Sequence, residues 1–304
     1  MKQNILISGV TGFVGVNLKE YLNSDYNIIG VYRSNNVNEI NYSEIDLKDF
    51  ENINVFIHLA GKAHDLKNVS KPEEYFEVNT DLTIKLFDLF LESNCQKFIF
   101  ISTVKAAIDK IETVLTEEIL PEPQTPYGKS KLAAENYLLS KELPKGKQVY
   151  ILRPCMIHGP GNKGNLNLLY KLISKGIPYP LGKYDNYRSF TSIENFCFII
   201  DKLIDKDLSS GVYNISDDTP ISTKKLVELI GEETLKPAKI LRLPKFIIEF
   251  IANVGNVLRL PFNSHRLDKL TENYQVSNEK IKKELNIDLP VSTEEGLRET
   301  IKSF

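Results

Sequence analysis

Three glycines near the start of the chain, Gly9, Gly12 and Gly15, restrict what it can fold into more than any other feature. They lie in Gly9-Val10-Thr11-Gly12-Phe13-Val14-Gly15, after a compact apolar run that begins at Ile5. Phe13, Val14, Leu18, Tyr21 and Leu22 then fall at helical spacing. Glycines at such a junction let the backbone turn sharply from strand to helix and approach an anion closely. The free N–H groups of the helix N-terminus then face that anion. The spacing is G-x-x-G-x-x-G rather than G-x-G-x-x-G, so its weight comes from standing between a strand and a helix.

The rest of the first half repeats the alternation. Ile28–Tyr32, Val55–Ala60, Lys97–Ser102 and Val149–Arg153 read as four further strands. Between the third and fourth strands, Tyr75–Glu92 carries a helical stripe of Phe76, Val78, Leu82, Leu86, Leu89 and Phe90. Continuously apolar strands are those buried on both faces, as in a parallel sheet covered by helices. The expectation is a doubly wound α/β domain over residues 1–154. After Pro154 the pieces shorten and prolines multiply. Residues 155–304 are expected to form mainly a smaller α/β lobe, with segments near 187–213 returning to the first domain.

Composition removes several alternatives. With 38 Lys and Arg against 40 Asp and Glu, the net charge of −2 offers no footprint for nucleic acid. No run approaches the roughly 20 apolar residues of a membrane span, and the N-terminus does not read as a signal peptide. Cys95, Cys155 and Cys197 are odd in number and widely spaced, which favours reduced thiols in a cytoplasm over a disulfide framework. His158 and His265 have no ligand-spaced partners, so no metal is expected.

A second string carries chemistry. Tyr127-Gly128-Lys129-Ser130-Lys131 follows a proline-rich loop and starts a helix, so Tyr127 and Lys131 share one helix face. A free phenol has a pKa near 10, and a nearby ammonium would lower it into the range of an acid/base. The fourth strand ends Ile101-Ser102-Thr103, and the carboxyl ends of such strands face the ligand crevice. Thr103 is thus placed to orient a substrate oxygen. The second strand ends Tyr32-Arg33-Ser34, without the acidic residue that usually binds the adenosine ribose. Arg33 and Ser34 would instead suit a 2′-phosphate, favouring NADP over NAD.

With these residues in view, the sequence resembles the extended short-chain dehydrogenase/reductase superfamily, specifically the NAD-dependent epimerase/dehydratase family acting on nucleotide sugars. Gly9–Gly15, Asp46-Leu47, His58-Leu59-Ala60-Gly61, Val78-Asn79, Ile101-Ser102-Thr103, Tyr127–Lys131 and Arg153-Pro154 carry the resemblance in the family's order. It implies a Rossmann-like fold. It implies that Asp46 and Leu47 border the adenine and that Ala60 and Gly61 pass beneath the nicotinamide ribose. Asn79 would hold nearby backbone, and Lys131 would bind that ribose. Leu59, Ile101 and Pro154 belong to the same cofactor-facing set. His58 reads as a core residue, while His64, in the following loop, is a candidate sugar contact.

The second half resembles bacterial enzymes of UDP-N-acetylhexosamine metabolism, 4-reductases and 4-epimerases among them. The resemblance rests on Arg153–Gly161, Lys163-Gly164-Asn165, Pro178–Gly182 and Asn186–Ser189. It implies Asn165 and Leu166 at the nucleotide diphosphate, Leu181 at the uracil and Arg188 at a phosphate, with Arg266 a further phosphate candidate. Val104-Lys105 follows Thr103 where 4,6-dehydratases carry Asp-Glu, and no Cys stands near residues 103–110, where the C3/C5 epimerase-reductases place one. A 4-reductase and a 4-epimerase with tightly bound NAD remain, the reductase favoured by Arg33-Ser34. A dinucleotide-sensing regulator is the alternative of another class, though such proteins tend to lose the Tyr and Lys present here. Relatives often dimerise through the Tyr-bearing helix and its neighbour, where Leu82, Leu86, Leu89 and Phe90 would serve either core or interface.

Overall fold

The apolar run after the N-terminus forms β1 (Asn4–Ser8), and the glycine string bends it into α1 (Phe13–Leu22). The computed structural model describes residues 2–33, 40–63, 71–162, 164–258 and 262–304, apart from the side chains of Asn165 and His265. Ser34 and His64 lie outside the described residues.

Six more strands complete the main sheet: β2 (Asn27–Tyr32), β3 (Ile40–Asn41), β4 (Val55–His58), β5 (Lys97–Ile101), β7 (Gln148–Pro154) and β11 (Gly211–Ile215). A two-residue β6 (Val114–Leu115) lies outside it. The order is β11-β7-β5-β4-β1-β2-β3, all parallel. This is a Rossmann-like doubly wound sheet, and the strand order reverses between β1 and β4, where such sheets bind ligands. β4 and β5 are buried at every residue, His58 and Lys97 included, as strands covered on both faces are.

Alternate side chains feed two core layers. Ile5, Ile7, Ile57 and Ile99 face α1 and α6 (Ile193–Asp205). Leu6, Phe56, Phe98 and Phe100 face α3 (Leu82–Glu92) and α4 (Pro126–Ser140). On that side Phe87 and Phe98 meet edge to face at 5.1 Å, the geometry favoured by the ring quadrupoles. Leu86 and Phe90 are core residues, whereas Leu82 and Leu89 are half-buried. The short α2 (Pro72–Phe76) runs into α3 through one wide turn, Glu77–Asp81, with π-helical hydrogen bonding.

Two strands of the main sheet are not among those read from the sequence. β3 has only two residues, too few to show alternation. β11 is recruited from beyond residue 155 to extend the sheet beside β7. α6 and α10 (Glu279–Leu285) come back with it, placing Phe196, Ile199, Ile281 and Leu285 in the first core layer.

The remaining elements form a second lobe. They are β8 (Met156–His158), α5 (Asn165–Ser174), β9 (Tyr187–Arg188), β10 (Phe190–Ser192), β12 (Ile221–Ser222), α7 (Thr223–Glu233), α8 (Lys245–Val257), α9 (Ser264–Thr271), β13 (Gln275–Val276) and α11 (Thr293–Lys302). Its own core centres on Val227, Leu229, Ile230 and Leu297.

Candidate active site

The carboxyl ends of β1, β4, β5 and β7 open on a cleft of about 980 Å³ between the two lobes. The glycine loop forms one wall. Gly9 adopts φ +75°, and a Cβ there would fall 2.7 Å from the Ala60 nitrogen, so strand end and loop touch through bare backbone. A Cβ on Gly15 would fall 2.3 Å from the Gly9 oxygen, which is how α1 packs so closely on β1. Gly12 faces the cleft and caps α1 without any side-chain hydrogen bond, and the first turn holds no acidic residue. The helix thus presents uncapped N–H groups and the positive end of its dipole to the opening, which suits a diphosphate. The Gly9 N–H is already used: it donates to Tyr42 Oη at 2.6 Å.

The opposite wall is built from α4 and the end of β5. Thr125 caps α4 by accepting from the Gly128 N–H at 3.2 Å, and Pro126 occupies the first turn, where its missing N–H costs nothing. Tyr127, Lys131 and Glu135 then stand on successive turns of one face. Tyr127 and Thr103 both line the cleft. Lys131 Nζ donates to the Ile101 carbonyl at 2.9 Å and lies 4.7 Å from the Phe100 ring centroid. Gly61 leaves it room, since a Cβ there would come within 3.0 Å of Nζ.

Burial lowers the Lys131 amine to about 8, opposed by the Glu135 charge. The expected lowering of the phenol is not found. Burial pushes Tyr127 up to about 12; the Thr103 hydroxyl works the other way, and Tyr75 adds to the rise. A neighbouring charge alone would lower the phenol, but desolvation of the hydroxyl dominates here.

Glu135 is the buried neighbour on this helix face that the sequence reading missed. It is fully buried, pairs with Arg153 through Nε at 3.0 and 3.1 Å and through Nη2, and accepts from Ser102 Oγ. The signal was present: 127, 131 and 135 repeat every four residues.

The π-helical turn explains Asn79. Asn79 Oδ1 accepts from the Lys62 N–H at 2.7 Å, and its Nδ2 donates to the Lys62 carbonyl at 3.1 Å and to Ser130 Oγ at 2.9 Å. The loop after β4 is thereby tied to α4, a use of the π-bulge often met at functional sites. His58 is fully buried, with Nδ1 2.5 Å from Ser8 Oγ and Nε2 2.9 Å from Thr83 Oγ1. Burial holds it well below the usual imidazole range, so it stays neutral.

At the far end of the cleft, Arg188 donates to the Lys269 carbonyl at 3.0 Å and lies 3.9 Å from Glu272. Lys105 approaches the same carboxylate at 3.9 Å and sits over the Tyr274 ring.

Several residues named from the sequence stand elsewhere. Asp46 caps the 3-10 turn Leu47–Phe50, accepting from the Lys48 N–H at 2.9 Å, and that bond holds its carboxyl below the usual range. Leu47 is exposed. Tyr32 lines a separate shallow depression with Lys19 and Glu20, and Arg33 is exposed beside it. Ala60 is buried under Gly9. Leu166 and Leu181 are buried in the second-lobe core, and Arg266 is exposed in the first turn of α9. Phe13, Val14, Leu59, Ile101 and Pro154 do line the cleft. Among the described residues, no cluster of three His, Cys, Asp or Glu has the arrangement of a metal site.

The profile of the NAD dependent epimerase/dehydratase family matches residues 5–216. The chain belongs to that family. Over its whole length it is 32% identical to the UDP-glucose 4-epimerase of Vibrio cholerae, covering 96% of that protein. Over 80% of its length it is 29% identical to an Escherichia coli O157:H7 protein named N-acetyl-alpha-D-glucosaminyl-diphospho-ditrans,octacis-undecaprenol 4-epimerase, covering 76% of it. The fold is shared with the UDP-glucuronic acid 4-epimerase of Bacillus cereus solved with NAD, at TM-score 0.76 and 21% identity, with 99% and 98% of the two chains covered. This family member also shares the fold of RMD from Pseudomonas aeruginosa, solved with NADPH, at TM-score 0.72 and 20% identity over 99% and 98% of the chains.

Proposed function

We propose that the protein is a 4-reductase that uses NADPH to reduce the 4-keto group of a UDP-linked N-acetylhexosamine derivative. One observation carries this reading. Tyr127 and Thr103 line one cleft opposite the uncapped glycine loop, burial favours the protonated phenol, and Val104-Lys105 follows where a dehydratase would need acids.

A dinucleotide bound along Gly9–Gly15 supplies the hydride to C4. Thr103 orients the sugar oxygen. Tyr127 gives that oxygen its proton, so one hydride and one proton convert the ketone to an alcohol. Lys131, held near the cleft floor by Ile101, provides a donor for a ribose hydroxyl and positive charge close to the phenolate left behind. Arg188 suits a diphosphate oxygen at the far end. The P. aeruginosa neighbour was solved with NADPH, and MoeE5, of the same fold, with UDP-glucose and NAD.

The preference for NADPH rests on Tyr32-Arg33-Ser34, a strand end without an acidic residue. A tightly bound NAD and a 4-epimerase reaction form the second reading, favoured by the V. cholerae relative. Three free, buried cysteines fit a reducing cytoplasm, and a homodimer belongs to the same reading.

The deciding assay offers a UDP-4-keto-6-deoxy-N-acetylhexosamine with NADPH or NADH. The reading expects loss of absorbance at 340 nm, faster with NADPH. No oxidation of either dinucleotide, together with interconversion of UDP-GlcNAc and UDP-GalNAc without added cofactor, would replace it by the epimerase.

A further inference from the structure

α8 is apolar on two sides. Its inner side, Ile248, Ala252 and Gly255, is buried in the second lobe. Its outer side carries a second stripe, Phe246, Phe250, Val254 and Val257, spaced i, i+4, i+8 and i+11, with Leu258 beside it. Phe246 is 70% exposed, Phe250 67%, Val257 82% and Leu258 62%. Six of the nineteen large apolar residues that are exposed among the described residues fall on this element and its end. That concentration differs from the single exposed hydrophobics normal on any surface.

The charge around the stripe says what it fits. Residues 235–269 carry seven Lys and Arg against two Asp and Glu, a net of +5, which leaves −7 on the rest of a chain whose total is −2. Lys236, Lys239, Arg242 and Lys245 lead into the stripe and are exposed, as are Arg266 and Lys269 on α9, which packs on α8. An exposed apolar stripe with phenylalanines, flanked by cations on an otherwise acidic protein, matches an anionic lipid surface. The rings enter the acyl boundary while the lysines meet phosphate headgroups. A second copy would have to bring two basic margins together. Among the described residues no helix is long and apolar enough to cross a membrane, so the contact would lie in the interface.

We propose that α8 docks the protein on the surface of an anionic phospholipid bilayer. None of its residues lines the cleft, so the proposal is independent of the reaction assigned above.

The test is sedimentation of the full chain with vesicles of phosphatidylglycerol and phosphatidylcholine, and with phosphatidylcholine alone. Binding is expected only to the anionic vesicles and should weaken as salt is raised. The K239E/K245E variant should bind about fivefold more weakly for each charge removed, and more weakly still through repulsion. F246S/F250S should remove binding while dinucleotide binding in solution stays unchanged, which shows that the variant is folded. The chain has no Trp, so F250W adds a single reporter whose emission should shift to the blue on anionic vesicles. Two results would overturn the proposal: no binding of the wild type to anionic vesicles, or light scattering that shows a dimer which F246S/F250S splits.

Discussion

Replacing Lys131 by Met should make the protein more stable while ending its activity. The side chain is 3% exposed, and burial brings its amine from 10.5 to about 8. At about 1.4 kcal/mol per pH unit, holding the ammonium in place costs roughly 3 kcal/mol at neutral pH. Met keeps most of the volume and removes that cost, but the Ile101 carbonyl loses its donor, at about 1 kcal/mol. The net gain is about 2 kcal/mol, a rise in Tm of roughly 4 °C for a chain of this size. The sign with pH follows from the lowered folded value. Between pH 8 and 10.5 the unfolded chain binds the extra proton, so wild-type stability rises with pH across that window. The advantage of K131M is therefore complete below pH 8 and fades toward 10.5. Calorimetry at pH 7 and pH 9.5 checks both parts. A lower Tm for K131M at pH 7, or a difference that ignores pH, would refute the reasoning.

Glu135→Gln should act in the opposite direction. It leaves the Arg153 guanidinium buried with a neutral partner, at about 3–5 kcal/mol, read as a lower urea midpoint; a loss under about 1 kcal/mol would show that the pair holds little. Tyr127→Phe removes one hydroxyl and keeps the ring beside Tyr75. Hydride transfer should fall about 10²–10⁴-fold while dinucleotide affinity, followed by fluorescence, changes little; surviving turnover would remove Tyr127 from the acid/base role.

The parts of the site legible in the sequence are those where one residue type answers one local demand. Gly9 needs a positive φ and contact with the Ala60 backbone, and only glycine meets both. Tyr127 and Lys131 were readable because helical spacing alone puts them on one face. Glu135 lies on that face too, yet a lone carboxylate on a helix reads as solvated until Arg153 arrives from β7, a strand paired with β5. The rise of the Tyr127 phenol needed the depth of the pocket, which no spacing reports. The π-helical turn at Asn79 was hidden because one inserted residue shifts the apolar stripe too little to break it. Leu166 and Leu181 sit in motifs that resemble ligand loops, but their side chains pack inward.

The recruitment of β11, α6 and α10 into the first domain has a mechanical consequence. The chain leaves the large sheet after β7, returns with α6 and β11, departs again and comes back with α10. The crossings at Pro154–Ile157, Arg188–Phe190 and Tyr274 line the cleft, and the two lobes are laced together by several strands of backbone instead of one flexible tether. A wide swing of one lobe would have to bend all of them at once, whereas a single-linker hinge bends at one point. Adjustment to a ligand is thus confined to short loops at the rim. The first 154 residues, cut away from the rest, would expose the flank of β7 and half of one core layer to water.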